Sequence, residues 1–166
     1  YKLAGLWAGR QGSLLFWAWL IAVFNAVLVF ATRKNIRPLD NGALAISSLV
    51  LTAFVSVLLF SEGNMPFIAT DARYFTGDGT PSAMASARSM NALLEHWAMA
   101  IHPPTLFIGY AGLTIPFAYA ISALIVNDDS TEWVNRSTPY LMFSWLLLGV
   151  GIGLGAVWAY VVLGWG

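Results

Sequence analysis

His102 opens the run His102-Pro103-Pro104-Thr105-Leu106-Phe107-Ile108-Gly109-Tyr110, at the mouth of a long apolar segment. A neutral imidazole where a membrane helix meets water is a ready metal ligand, for haem iron above all. The chain has no cysteine, so thiolate sites, disulfides and cysteine nucleophiles are excluded, and any metal ligand must be histidine, methionine, carboxylate or backbone. Pro103 and Pro104 supply no amide donor, and a residue before proline favours extended backbone. They are expected to stop a preceding helix and to hold the His102 ring at the rim of the next one, pointing away from it. The bland role for such a histidine is a helix cap or a bond to a backbone carbonyl.

His96, six residues earlier, is turned by about 240° on a helix, so the two histidines cannot form an i, i+4 metal clip. A solvated pair with Glu95 is the reading expected for it. Trp158, Tyr160 and Trp165 cluster at the end of the last apolar segment. Two roles stay open for them: part of the aromatic belt that anchors spans, the role expected for most of the eight tryptophans, or walls for a flat hydrophobic ligand. No residue suggests itself as a catalytic acid, base or nucleophile.

The elements that must position these residues are membrane helices. Hydrophobic residues make up 58% of the chain and charged ones 10%, proportions that place it in a bilayer. Net charge is zero and no basic run occurs, so nucleic acid is excluded as a partner. Four segments, 12–31, 43–61, 105–126 and 140–163, reach the roughly 20 helical residues a span requires. The expected class is therefore all-α, an integral membrane protein with four transmembrane helices in one unit over 1–166. Arg33, Lys34 and Arg37 mark the first short loop as cytoplasmic, which puts 62–104 and both chain ends outside. Within that outer segment, Met84, Ala87, Met90, Leu94, Trp97 and Ile101 recur at spacings of three and four, predicting a surface-lying amphipathic helix over 82–101. The four spans so bounded hold no Asp, Glu, Lys or Arg, which argues against a proton pump or transporter. Gly149, Gly151, Gly153 and Gly155 form overlapping small-xxx-small pairs, the pattern of close helix packing. Asn25 and Ser47-Ser48 are the notable polar interruptions. The start at Tyr1, without a methionine, reads as a piece of something longer.

Three stretches carry a family resemblance. His102 to Tyr110 resembles the HPPxLYxGY signature of the CcmF-type haem lyases of cytochrome c maturation. Leu6-Trp7-Ala8-Gly9-Arg10-Gln11-Gly12-Ser13-Leu14-Leu15-Phe16-Trp17 is similar to that family's W-x-G-x-x-G-S-L-L-x-W stretch, and the stretch from Gly149 onward to its helix leading into a tryptophan-rich WWD segment. The resemblance implies haem handling in a bacterial inner membrane, at the periplasmic face, and ligation of haem to apocytochrome c. His102 would be an outward haem-facing ligand, with Trp158 and Trp165 leading into the aromatic flap over the haem. Implied partners are the haem chaperone CcmE, apocytochrome c and CcmH-like thiol-handling subunits. The flap, a second outward histidine and the buried haem ligands of the family are not among these residues, so lyase activity is expected only of a complete protein. Asn64-Met65-Pro66-Phe67 departs from the family's N-P-F. The rival reading is an accessory transmembrane subunit with no haem chemistry.

Overall fold

The computed structural model describes residues 4–69, 71–86 and 95–165. A short α1 (Gly5–Ala8) leads into α2 (Arg10–Thr32) and α3 (Pro38–Phe60), and a turn of 3-10 helix (Ala72–Tyr74) precedes the single helical turn α4 (Ala83–Ser86). Then follow α5 (Trp97–Gly112), α6 (Thr114–Val126) and α7 (Glu132–Trp158), which ends in a wider π-helical turn, Ala159–Leu163. Among the described residues the only strand-like pairing is an isolated bridge between Phe75 and Pro81. Four helical stretches are long and apolar enough to cross a membrane: Arg10–Thr32, Pro38–Phe60, Trp97–Val126 and Glu132–Leu163. The protein is an integral membrane protein. Helices are the form such spans take because hydrocarbon offers backbone groups no hydrogen-bond partner.

Of the expected surface helix over 82–101, residues 87–94 lie outside the described residues. At its far edge Trp97 to Ile101 belong to α5 instead. The third span therefore starts eight residues before the expected 105, and Pro103 and Pro104 lie inside the helix. Proline removes the bonds to the carbonyls four residues back, here of Met99 and Ala100 in the first turn of α5. A second proline does interrupt the span. Pro116 cannot donate to Gly112, and the chain breaks at Leu113 between α5 and α6.

The core gathers Leu20, Ile21, Phe24 and Leu28 of α2, Leu39 and Ala43 of α3, and Ile115, Ala118 and Tyr119 of α6. Asn25 and Ser47 are hydrogen-bonded to each other across α2 and α3, while Ser48 is exposed. The Ser122 hydroxyl donates to the Leu39 carbonyl at 2.9 Å, tying α6 to α3. α7 packs chiefly on α5 and to a lesser extent on α6. Trp145 at its middle is 68% exposed, so the tryptophans are not all confined to the ends of the spans as an aromatic belt requires.

The spans are also not free of charge. Pro38 occupies the first turn of α3, and the Arg37 amide donates to Asp40 Oδ2 at 3.0 Å, a capping box that starts the helix before Asp40. Asp40 is 2% exposed. It accepts from Arg136 Nη1 through both oxygens at 2.8 Å and from the Tyr119 hydroxyl at 2.8 Å. Arg136 Nε donates to Glu132 at 2.9 Å, and Glu132 also pairs with Arg37. The expected charge-free spans thus fail at this end because α3 and α7 start earlier, at Pro38 and Glu132, than the expected 43 and 140. The result is a polar clamp joining α3, α6 and α7 at the end that carries Arg33 and Lys34.

Candidate haem-facing site

α5 and α7 meet through small residues on both sides. A Cβ at Gly109 would stand 2.6 Å from Leu148 Cγ, and one at Gly151 would stand 2.7 Å from Leu106 Cδ2. Either would force the helices apart. A Cβ on Gly155 would meet His102 itself, 2.5 Å from Cε1 and 2.9 Å from Nδ1. The glycine pair Gly151 and Gly155 is the seat of the His102 ring. Gly149 and Gly153, on the other face, have nothing within 4 Å of a built Cβ, so only one of the two small-xxx-small pairs packs.

His102 is helical and half-buried, not extended at a helix rim. The correction follows from α5 running through the proline pair, which carries His102 onto the face that packs on α7. There Nδ1 lies 2.7 Å from the Gly151 carbonyl oxygen. A carbonyl only accepts, so Nδ1 carries the proton and donates it. In the neutral ring Nε2 then holds the free lone pair, the arrangement in which protein histidines ligate metals. Those residues fit an axial imidazole ligand. Among the described residues no group of three or more His, Cys, Asp or Glu could hold a metal ion.

His96 has the capping role. Its Nδ1 accepts from the Ala98 amide at 3.2 Å, satisfying one of the free donors at the start of α5. Its ring lies 5.5 Å from that of Trp97. No ion pair joins it to Glu95 among the described residues.

Gly151, Gly155 and Trp158 fall at i, i+4 and i+7, one face of α7, so Trp158 follows one turn beyond the His102 seat. Trp165 sits apart from them. It follows Gly164, whose φ of +69° is the left-handed backbone that glycine tolerates. Its amide donates to the Ala159 carbonyl at 3.1 Å, its side chain is 70% exposed, and no hydrogen bond or ring contact joins it to His102 among the described residues.

The three stretches that carry the sequence resemblance meet here. Phe107 packs edge-on against Phe16 at 6.0 Å and against Trp17 at 5.7 Å between ring centroids. Trp17 also lies 5.6 Å from Tyr110 and 4.9 Å from Phe54 of α3. The opening stretch therefore buttresses one flank of α5 while the glycines of α7 receive His102 on another. Gln11 and Arg10 donate to the Gly63 carbonyl at 2.7 and 3.1 Å, fixing the start of α2 to the segment after α3. Sequence reasoning found these stretches and missed how they touch. It also missed the Asp40–Arg136 clamp, although Pro38 at the first helical position with Asp40 two residues on was a start signal.

No solved structure matches the chain. Among curated proteins, it is 36% identical to the cytochrome c-type biogenesis protein NrfE of Haemophilus influenzae over 166 residues, all of this chain and 24% of that protein. It is 34% identical to the cytochrome c-type biogenesis protein ccl1 of Rhodobacter capsulatus, again over the whole chain and 24% of the relative. The cytochrome c-type biogenesis protein CcmF of Escherichia coli is 34% identical over 169 residues, with the same coverage. The chain thus spans about a quarter of the length of these relatives. A family profile described as "Cytochrome C assembly protein" matches residues 7–166, and the chain belongs to that family.

Proposed function

We propose that this chain forms part of a haem-handling site for cytochrome c biogenesis, with His102 as one axial ligand to the haem that is attached to apocytochrome c. The observation that carries this reading is the 2.7 Å bond from His102 Nδ1 to the Gly151 carbonyl. It fixes the tautomer, holds the ring plane against α7, and makes Nε2 a better donor to iron. Trp158, one turn along the same face, supplies an aromatic wall, and Trp165 belongs to the aromatic approach to it. Haem is the substrate, whose vinyl groups receive the cytochrome's thiols as thioethers. This chain's residues contribute binding and orientation, with no acid or base of their own.

The reading places His102 at the periplasmic face of a bacterial inner membrane, because Arg33, Lys34 and Arg37 lie at the opposite end of the bundle. Haem would arrive from a CcmE-type chaperone, and the acceptor thiols from apocytochrome c kept reduced by CcmH-like subunits. Haem lyase activity belongs to the complete protein. In that protein, His102→Ala is expected to abolish holocytochrome c formation while the protein still inserts in the membrane. Unchanged holocytochrome yield overturns the proposal. The same hydrogen bond also suits a histidine that only packs α5 on α7, the accessory-subunit reading. That role predicts a loss of stability with His102→Ala and no change in haem binding.

A further inference from the structure

Away from His102, the opposite end of α2 presents two cations with no acid to answer them. Arg33 and Lys34 are exposed and form no ion pair among the described residues. Arg33 lies 5.2 Å over the Phe30 ring, which holds it back along the helix. Arg37 and Arg136 differ, being matched by Glu132 and Asp40. Two largely apolar grooves flank the last turns of α2, the helix that leads into these cations. One, of about 600 Å³, lies between α2, α6 and α7 and is walled by Phe24, Val27, Tyr140 and Phe143, with Thr32, Asn135 and the Asp40-paired Arg136 as its polar end. The other, of about 640 Å³, lies on the far side and runs from Val23 to Arg33. Val27 and Ala31 wall both.

We propose that this end of α2 is a binding site for one anionic diacyl phospholipid, with an acyl chain in each groove astride Val27 and Ala31 and its phosphate on Arg33 and Lys34. Two open, largely apolar hollows that share Val27 and Ala31 as a common wall match a two-chain lipid. Arg33, in the lining of the second groove, and its neighbour Lys34 are the unmatched pair that selects an anionic headgroup over a zwitterionic one. A transmembrane helix seated in the same place would leave both cations at its interface uncompensated.

The test uses the full chain purified in detergent, mixed with equal amounts of dioleoyl phosphatidylglycerol and dioleoyl phosphatidylethanolamine, with retained lipid counted by native mass spectrometry. Phosphatidylglycerol should be retained in preference, one molecule per chain. Arg33→Gln with Lys34→Gln should cut that preference on the order of 25-fold, about fivefold for each charge. Val27→Trp, which fills the wall shared by both grooves, should lower retention of either lipid with both cations in place and the far-ultraviolet circular dichroism unchanged. Equal retention of the two lipids, a preference that survives loss of both cations, or full retention by Val27→Trp overturns the proposal.

Discussion

The His102 ring and the Gly151 carbonyl, 49 residues apart in sequence, are joined by a 2.7 Å hydrogen bond across α5 and α7. The bond is possible because Gly155, one turn on from Gly151, has no side chain. Helix packing and ligand chemistry are therefore one feature: whatever sets the distance between α5 and α7 also sets the direction of the imidazole.

Gly155 gives the most selective perturbation. Gly155→Ala puts a methyl 2.5 Å from His102 Cε1, so the ring must leave its seat. Haem affinity of the purified protein should fall by about 10- to 100-fold, the usual effect of losing the group that orients a ligating histidine. Gly153→Ala, in open space, should leave affinity unchanged and raise helix stability by up to about 1 kcal/mol. Haem titration of the two variants side by side checks both.

The proline pair gives a second prediction. Because α5 runs through Pro103 and Pro104, replacing both with alanine restores two backbone donors without redirecting the chain. Helical content should hold or rise, and hydrogen exchange at residues 103 and 104 should show protected amides. Were the prolines terminating a helix, the substitution would instead shift His102 and abolish haem binding.

The charge clamp should behave as a buried pair. Asp40→Ala leaves the Tyr119 hydroxyl without its acceptor and Arg136 with Glu132 alone, and should destabilise by about 1–3 kcal/mol. Asp40→Leu with Arg136→Met should cost less than the single change, since no uncompensated charge remains. Denaturant titration in micelles measures both, and a double-mutant cycle isolates their coupling.

In the segment between α3 and α5, Asp78 takes hydrogen bonds from the hydroxyl of Thr76, from the amide of Thr80 at 3.2 Å and from its hydroxyl at 2.9 Å. These hold its carboxyl down to about 2, the Thr76 hydroxyl contributing most. The folded value lies below the unfolded one of about 3.9. The turn's contribution is therefore complete above about pH 4 and is lost as pH falls toward 2. The Thr80 amide resonance, followed by nuclear magnetic resonance from pH 6 to 2, should move with a midpoint near 2, and Asp78→Asn should remove the transition.

What could be read without coordinates follows from which signals are local. Apolar length identified four spans because hydrocarbon thickness imposes it on each helix separately. The glycine run on α7 showed that something packs closely, but its two registers are equivalent in sequence. Only the position of α5 distinguishes Gly151 and Gly155 from Gly149 and Gly153. Pro103 and Pro104 misled because a proline pair reads locally as a stop, whereas near a helix end only two carbonyls lose partners. Asp40 and Arg136 went unnoticed as a pair because nothing local connects residues on α3 and α7. His102 was legible as a ligand candidate from its setting, while the carbonyl that fixes its tautomer comes from another helix.

The measurement that bears most directly on the central claim is the visible spectrum of the purified protein titrated with haemin. His102 ligating through Nε2 predicts a Soret band typical of imidazole-bound haem, lost in His102→Gly and restored when free imidazole is added to that variant. An identical spectrum and affinity for the parent and His102→Gly, with no response to imidazole, would contradict it.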